Sequence, residues 1–453
     1  MAHNSNVLSP ETIRVGTLVS DDYLFPEMQV PIRITEDGIE ITISWNNVDA
    51  ISNLWIDDAI NIAEIAEIQD QDIYPVPRNL WFYDIDGSIA LLNCRKYSMT
   101  QVIGGDGGAR GTIIADCAVM GARLHTNYQK IYGLRTSIAG LRQWIGNSNI
   151  ERKRPSNRDS RNRSETLIIR SPDDIRLQNN PLGYIHFDWS LSYSSKDDTC
   201  TINDKTYIET RSSHLLSWQS ARHLSKAIQD LLRISYGEDR DLTESQVLRS
   251  PDTAATANEE IANEWLPITE GIQERHKPKY DRGLIQYAEL KEDGVQKWLS
   301  LYDQIPRAID PIVTSFTLDK ATPEVRLLEA GSGLEALGYY LLKADGKNKK
   351  DANKFSFKDR LKRITENLKD ILPFEVNNWI LQTTSAYNGI KHANRKRPDK
   401  IVCLNSWQKA VLTFRCWIAL NLGIDKDILK SRAELDHMRG GYKLLWGKNK
   451  DQE

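Results

Sequence analysis

The sequence lacks the features of a membrane-spanning, secreted or disulfide-linked protein. No stretch approaches the roughly 20 apolar residues that a membrane-spanning helix needs, and Met1 to Ser9 contain no apolar signal-peptide core. The cysteines form no close pair, which argues against a zinc ribbon and a disulfide framework (Cys94, Cys117, Cys200, Cys403, Cys416). These absences predict a cytoplasmic protein that makes no contact with a membrane.

Length and charge predict several domains and one positively charged region. With 453 residues the chain exceeds one ordinary hydrophobic core, so two or three domains are expected. The formal net charge is only −3, yet residues 343–400 contain fifteen Lys/Arg and seven Asp/Glu. That surplus of eight positive charges leaves about −11 on the rest of the chain. Such a cluster is typical of a polyanion-binding face, and equally of a solvated helix surface.

Residues 1–210 have the pattern of a β-rich domain. Apolar and polar residues alternate from Val30 to Ile34 and from Ile39 to Trp45, on either side of an Asp37-Gly38 turn. A later strand alternates in the same way from Ile185 to Tyr193. Short strands separated by turns predict a sandwich or barrel-like fold. Trp189 keeps step with the apolar face of its strand, so we expect it in the core rather than on a glycan-binding surface.

Two segments of this domain look like ligand-binding motifs and are interpreted otherwise. Gly104 to Gly111 lacks the Gly-Lys-Ser/Thr ending of a phosphate-binding loop, so we expect a hairpin tip. The arginine-rich residues 152–163 have low hydrophobicity and no period, which favours an exposed or disordered loop over a nucleic-acid site.

The C-terminal half has the pattern of packed helices. Residues 211–305 are interpreted as a helical linker, 306–425 as a helical bundle and 426–453 as a C-terminal extension. In the linker, the acidic segment Thr243 to Arg275 is helix-compatible with a break at Pro267. In the bundle, Glu324 to Lys343 is predicted to be a helix. Its glycines fit if other helices approach closely there (Gly331, Gly333, Gly338). The predicted fold class is therefore α+β, with the β-rich domain first.

The stretch Thr383 to Arg397 contains the leading candidate for chemistry. It lies between two predicted helices and places His392 after Asn388 and Lys391 and before three further cations (Arg395, Lys396, Arg397). Acid–base work on a phosphodiester requires a titratable imidazole among cations, because the cations hold the phosphate while the histidine moves a proton. A surface loop with an incidental histidine is the alternative interpretation.

Four short segments, in order along the chain, match the pattern of one known family. They are Val15 to Leu18 at the start, Arg326 to Leu337 with an inward Glu335, Phe355 to Leu361, and Asn388 to His392. The order resembles the ApeA family of bacterial anti-phage proteins, in which a β-rich N-terminal domain precedes a HEPN helical domain. The last segment resembles that family's Arg-Asn-x-x-x-His signature without its arginine.

The resemblance implies a metal-independent endoribonuclease of abortive infection that needs no cofactor. Its active site is expected to form between two HEPN domains, in a dimer or a larger even-numbered oligomer. By position, His392 corresponds to the catalytic histidine and Asn388 to the signature asparagine, while Glu335 is expected to orient the site. The implied partners are RNA, a second copy of the chain and a phage-derived trigger. RNA is expected to contact the surrounding cations (Lys391, Arg395, Lys396, Arg397, Lys358, Arg360).

One departure from the signature leaves two functions open. In place of the family's arginine the chain has Tyr387, which can hydrogen-bond or stack on a base but cannot neutralise a phosphate. Lys391 or Arg395 could supply that charge and complete a ribonuclease. Alternatively, the HEPN-like module has lost its catalytic activity and is a sensor, scaffold or RNA-binding regulator. Arg432 and His437 also have the signature spacing, but matches of that kind arise by chance.

Overall fold

The computed structural model describes residues 6–21, 27–46, 76–101, 108–153, 166–195, 198–248, 265–272, 277–318 and 320–443. The chain forms two compact units that interleave along the sequence. The first comprises Met1–Thr136, Glu209–His223 and Thr243–Arg275, and the second comprises Ser137–Ile208, Leu224–Leu242 and His276–Glu453. Residues 104–107 of the glycine-rich segment and residues 154–163 of the arginine-rich loop lie outside the described residues.

The first unit is built on an antiparallel sheet. The described strands of the whole chain, in order, are β1 (Arg14–Val19), β2 (Met28–Thr35), β3 (Gly38–Asn46), β4 (Asn79–Asp84), β5 (Gly87–Leu92), β6 (Arg95–Gln101), β7 (Gly108–Ala115), β8 (Cys117–Met120), β9 (Lys130–Ile138), β10 (Ile150–Lys153), β11 (Thr166–Ile169), β12 (Ile175–Asn179), β13 (Leu182–Ser194), β14 (Thr199–Ser217), β15 (Leu242–Leu248) and β16 (Trp265–Thr269). In the sheet of the first unit, neighbouring strands follow the order β15-β16-β8-β5-β4-β1-β2-β3-β7-β6.

The central strands of this sheet are buried on both faces. Phe82 and Leu91 pack into one hydrophobic cluster, whereas their neighbours Trp81 and Ala90 pack into another. Because successive side chains of a strand point to opposite faces, both sides of β4 and β5 are covered. These strands therefore have continuous apolar sequences, in contrast to the alternation seen in β2 and β3.

The helix predicted between Thr243 and Arg275 is absent from the described part of that segment, which forms β15 and β16. Gln246 pairs with Pro267, and Ile268 of β16 pairs with Val119 of β8. The prediction is wrong because pairing with a strand far away in the sequence selects the extended conformation, and a local window does not contain that partner.

The long strand β13 extends beyond the core that covers its first half. Ile185 and Phe187 are buried, whereas Trp189 is 38% exposed, Leu191 56% and Tyr193 67%. The expectation that Trp189 lies in the core is therefore wrong. Alternation along β13 places Trp189 on the same face as Ile185 and Phe187, but a pattern along one strand does not show where its covering layer ends.

The second unit consists mainly of helices around one hydrophobic core, to which β12 and β13 also contribute Leu177 and Phe187. Within the described residues, no helix combines the length and the apolarity needed to cross a membrane. The helices are α1 (Leu141–Ile145), α2 (Trp218–Tyr236), α3 (Tyr287–Gln304), α4 (Pro306–Thr317), α5 (Pro323–Ala344), α6 (Lys349–Ala352), α7 (Phe357–Thr365), α8 (Val376–Lys391), α9 (Lys400–Asn421) and α10 (Lys426–Leu435).

The glycines of α5 lie where other helices approach it. A Cβ added to Gly331 would lie 2.4 Å from the Tyr387 ring of α8, and one added to Gly338 would lie 2.4 Å from Cβ of Arg360 in α7. Gly333 faces α4 with similar closeness. The prediction that these glycines admit neighbouring helices is confirmed, because a larger side chain would not fit.

The fold class predicted from the sequence is confirmed. An antiparallel sheet dominates the N-terminal part of the chain, and helices dominate the C-terminal part.

Candidate functional site

Helix α8 carries most of the candidate stretch. It begins after Glu375, whose carboxylate accepts hydrogen bonds from the backbone N–H groups of Asn377 and Asn378. It continues to Lys391, so residues 383–391 are helical and only residues 392–399 connect α8 to α9. The functional stretch is therefore the end of a helix and the loop after it.

His392 is the first residue beyond this helix. Its N–H donates to the Asn388 carbonyl at 3.0 Å, and its own carbonyl accepts from the Arg395 N–H at 3.0 Å. The loop then folds back over the helix end, since a Cβ on Gly389 would lie 2.7 Å from the Lys396 carbonyl oxygen. The His392 side chain is exposed. Asn388 therefore accepts the last backbone hydrogen bond of the helix, and Gly389 leaves room for the returning loop. His392 faces solvent.

A cluster of polar side chains from three helices lies immediately before His392. The Tyr387 hydroxyl donates to Oε2 of Glu335 at 2.9 Å, and Lys391 Nζ donates to the same oxygen at 3.3 Å. Arg360 Nη1 lies 4.0 Å from Oε1 of Glu335. The structure therefore brings together four of the residues that the sequence pointed to, with Glu335 at their centre.

Tyr387 is a buried part of this cluster. Its side chain is only 3% exposed, and the ring packs on Phe357 at a centroid distance of 4.5 Å and against Gly331. Burial, and then the charge of Glu335 and the hydrogen bond to it, raise the pKa of Tyr387 well above its usual range. Tyr387 therefore acts as a neutral hydrogen-bond donor, and its covered ring does not stack on a base in this structure.

Replacing Tyr387 with phenylalanine is expected to lower the free energy of unfolding by about 1–2 kcal/mol, because a hydrogen bond to a charged acceptor is lost while the packing is kept. Urea unfolding of the full chain, followed by the helical circular dichroism signal, measures the change. Tyr184→Phe is the matched control, since its hydroxyl has no hydrogen-bond partner among the described residues. Equal losses in the two variants would contradict the expectation.

The other predicted cations surround the cluster without joining it. Arg397 forms an ion pair with Glu324 at 3.2 Å, but its side chain is 80% exposed. Arg395 and Lys396 are exposed on the same loop, and Lys358 is partly buried on α7. None of these four contacts Glu335 in the described part of the chain. Their exposure leaves the loop cations available to a polyanion.

The second signature-like pair, Arg432 and His437, is occupied by structural contacts. Arg432 forms an ion pair with Glu289 at 2.6 Å. His437 stacks on Tyr280 at a centroid distance of 3.7 Å, and its Nε2 lies 3.2 Å from the Gly237 carbonyl oxygen. Burial, with the nearby charge of Arg415, lowers the pKa of His437. In the described part of the chain, neither Arg432 nor His437 contacts the cluster around Glu335.

Phe357, which covers Tyr387, is not among the site residues predicted from the sequence. A local signal for its placement exists, because Ser356 and Asp359 form a capping box that starts α7 at Phe357. The contact between its ring and Tyr387 depends on helix packing, which no local motif specifies.

Fold and site together define a protein with an antiparallel-sheet domain, a helical domain and a polar side-chain cluster near the end of α8. Residues 32–300 match the family model for ApeA N-terminal domain 1, and residues 336–428 match the model for Apea-like HEPN. The first match covers more than half of the chain, so the chain belongs to the ApeA-like HEPN family. Comparison with curated proteins and with solved structures found no match.

Membership in this family supports a role as a HEPN effector of anti-phage defence. HEPN domains generally bind RNA and oligomerise. The exposed loop cations after α8 are compatible with the first of these properties.

Proposed function

We propose that the protein is a metal-independent endoribonuclease that cleaves RNA in the cytoplasm during abortive infection. The observation that carries the proposal is the exposed His392 at the end of α8, directly after Lys391 and before three loop cations (Arg395, Lys396, Arg397). This arrangement presents a proton-transfer group and several positive charges to one RNA backbone. The β-rich N-terminal part, residues 1–210, senses a phage-derived trigger.

In this mechanism His392 accepts the proton of a ribose 2′-hydroxyl, and the 2′ oxygen attacks the adjacent phosphorus. The bond from phosphorus to the 5′ oxygen breaks, and the leaving oxygen takes up a proton. One fragment ends in a 2′,3′-cyclic phosphate and the other begins with a 5′-hydroxyl. Lys391 and Arg395 stabilise the charge that develops on the phosphate oxygens. Glu335 accepts a hydrogen bond from Lys391 Nζ at 3.3 Å and so restrains the ammonium group of the residue that precedes His392.

A second copy of the chain is proposed to complete the site. Leu381, Ser385 and Asn388 are spaced four and three residues apart, which places them on one face of α8, and His392 follows directly after the helix. Leu381 is 53% exposed on that face. An exposed leucine on the face that also carries Asn388, close to the helix end and His392, supports packing of two α8 helices there, which would bring two histidines to one cleft in a homodimer.

The test uses purified protein and total bacterial RNA in EDTA, with the fragment ends identified chemically. We expect cleavage without a divalent metal and fragments that carry 2′,3′-cyclic phosphates. The assay is repeated with lysate from phage-infected bacteria, so that a missing trigger is supplied. Cleavage that requires a metal, or fragments with 3′-hydroxyl ends, would exclude this mechanism.

The second candidate function is a HEPN module that binds RNA without cutting it, as a sensor, scaffold or regulator. The observation that favours it is Tyr387, which is buried, neutral and bonded to Glu335, so it supplies no cation to a phosphate. This candidate predicts RNA binding that weakens steeply with salt and intact RNA under both assay conditions.

A further inference from the structure

A cavity of about 310 Å³ lies in the second unit, where α2 and α4 end. The turn after α2, the end of α4, the first turn of α5, α9 and the residues after α10 contribute to its wall. A cavity of this size is at the small end of the range for ligand sites and accommodates one aromatic group with a short polar tail. None of the residues that the proposed cleavage step uses lines it.

Aromatic rings form much of the wall of this cavity. Tyr280 stacks on His437 at a centroid distance of 3.7 Å. The indole N–H of Trp407 donates to a serine hydroxyl of α4 at 3.0 Å, which fixes that ring. Phe316 and Tyr442 line the same space. Rings that are held by stacking and hydrogen bonds present a preformed surface to the ring of a ligand.

The acidic side chains of the wall already have partners. Glu238 accepts hydrogen bonds from two backbone N–H groups at 3.1 Å each, and it forms an ion pair with Arg240 at 2.6 Å. Asp239 forms an ion pair with Arg233 at 2.7 Å. Because cations of the protein neutralise both carboxylates, the wall does not favour a cationic ligand.

Two lysines of the wall give it an excess of positive charge. Lys277 and Lys279 are exposed, and neither ammonium group contacts a carboxylate in the described part of the chain. Arg326 is a third cation of the wall, and it donates to the Leu318 carbonyl oxygen at 2.8 Å. The charges of the two lysines favour an anionic group at the mouth of the cavity.

Gln408 contributes a hydrogen-bond acceptor. Its side chain lines the cavity and is only 6% exposed, and its Oε1 is buried with no hydrogen-bond partner among the described residues. A buried acceptor without a donor is costly. Because the last torsion of a glutamine side chain is broad, the amide can turn towards an N–H group that enters the cavity. A ligand with an N–H group near its anionic end would satisfy this acceptor.

We propose that this cavity binds an aromatic carboxylic acid that carries an amide N–H group, as in an N-acylated aromatic amino acid. The ring lies among the aromatic side chains, the carboxylate lies beside Lys277 and Lys279, and the N–H group donates to Gln408. The acid is either a free molecule or the last residue of a polypeptide, and both sources offer the same chemistry. The proposal goes beyond the ribonuclease function and does not depend on it.

Calorimetric titration of the full-length protein with N-acetyltryptophan tests the proposal. We expect saturable binding with a dissociation constant below about 1 mM. The uncharged N-acetyltryptophanamide should bind about fivefold more weakly, because it has the same ring and acetylated nitrogen but forms no ion pair with the lysines. Equal affinities for the acid and the amide would overturn the proposal.

Variants of the wall test the two polar contacts separately. The double variant Lys277→Gln/Lys279→Gln should bind N-acetyltryptophan about fivefold more weakly, whereas Lys430→Gln, at an exposed position of α10 outside the wall, should stay within about twofold of the parent. Gln408→Leu should weaken binding of N-acetyltryptophan about fivefold. Its affinity for indolepropionate, which lacks the amide, should not change, and this result would show that the cavity of the variant is intact.

A parallel titration with a short glycine–serine peptide that ends in tryptophan identifies the source. Tighter binding of the peptide than of N-acetyltryptophan indicates the end of a polypeptide, whereas tighter binding of N-acetyltryptophan indicates a free acid. Absence of binding by both probes overturns the proposal, as does an equal loss in Lys430→Gln and the double lysine variant. His392→Ala should keep N-acetyltryptophan binding, so a failure of the ribonuclease proposal and a failure of this one are distinguishable.

Discussion

Replacing His392 with alanine is expected to lower the rate of RNA cleavage about a thousandfold, because the group that transfers the proton is lost. Affinity for RNA should change by less than about threefold, since the loop cations that contact the phosphates remain. The side chain is exposed and no side-chain contact holds it in the described part of the chain. The variant should therefore fold like the parent. Single-turnover cleavage and a filter-binding assay measure the two quantities separately.

The control for this variant is His214→Ala, which removes another exposed histidine, on β14. Cleavage by that variant should equal cleavage by the parent. If His392→Ala cleaved RNA as fast as His214→Ala, another residue would carry the proton transfer. If both cleavage and binding fell together, His392 would contribute to RNA affinity rather than to proton transfer.

The helices were predictable where local chemistry specifies them. The glycines of α5 are the clearest case, because their spacing made sense only if other helices came close, and Gly331 and Gly338 meet Tyr387 and Arg360. The inward position of Glu335 was implied by the resemblance to the ApeA family and not by the helix period. Local signals were thus sufficient to predict α5, the helix that carries Glu335.

Features that depend on distant partners were not predictable from local patterns. β15 and β16 have acidic or proline-containing sequences, and they are strands because β16 pairs with β8. Trp189 has the alternation of a core residue but lies beyond the covering layer. In both cases the deciding contact is supplied by tertiary structure, which overrides local propensity.

The candidate site contains both a local sequence motif and contacts that depend on helix packing. His392 and its neighbouring cations form a motif along one stretch of chain, so the sequence alone indicated them. The burial of Tyr387 under Phe357 required the packing of α7 on α8. This packing changes the interpretation of Tyr387 from a base-stacking residue to an internal hydrogen-bond donor.

Replacing Arg415 with methionine is expected to lower the free energy of unfolding by about 3–5 kcal/mol, because a buried charge would lose its partner. Arg415 is fully buried on α9 and forms an ion pair with Asp436 at 2.8 Å. Its Nε and Nη2 donate to the carbonyl oxygens of Ile234 and Ser235, at 2.5 Å and 2.8 Å, in the last turn of α2. Those carbonyls lack helical partners, so Arg415 also caps α2.

The pH dependence separates the ion pair from simple loss of packing. Burial alone would raise the pKa of Asp436, but the charge of Arg415 and its hydrogen bond hold that pKa below its usual range. In the parent, this contribution is present above about pH 4 and is lost as the pH falls through the lowered pKa. In Arg415→Met the carboxyl group of Asp436 is still buried but has no cation beside it, so its folded-state pKa rises and its protonation relieves the unpaired charge. The stability difference between parent and variant should therefore shrink as the pH is lowered from 7 towards 4.

Urea unfolding of the full chain at several pH values measures this difference, and the double variant Arg415→Met/Asp436→Leu supplies the comparison. Removal of both charges should recover part of the stability at pH 7, because no unpaired carboxylate is left inside. In the double variant the carbonyl oxygen of Ile234 still lacks the Arg415 donor, while that of Ser235 keeps only the Leu284 N–H, so recovery should be incomplete. A loss that is independent of pH and unchanged by Asp436→Leu would mean that Arg415 acts through α2 alone. The two outcomes thus assign the stabilising role of Arg415 either to its ion pair or to its cap on the helix.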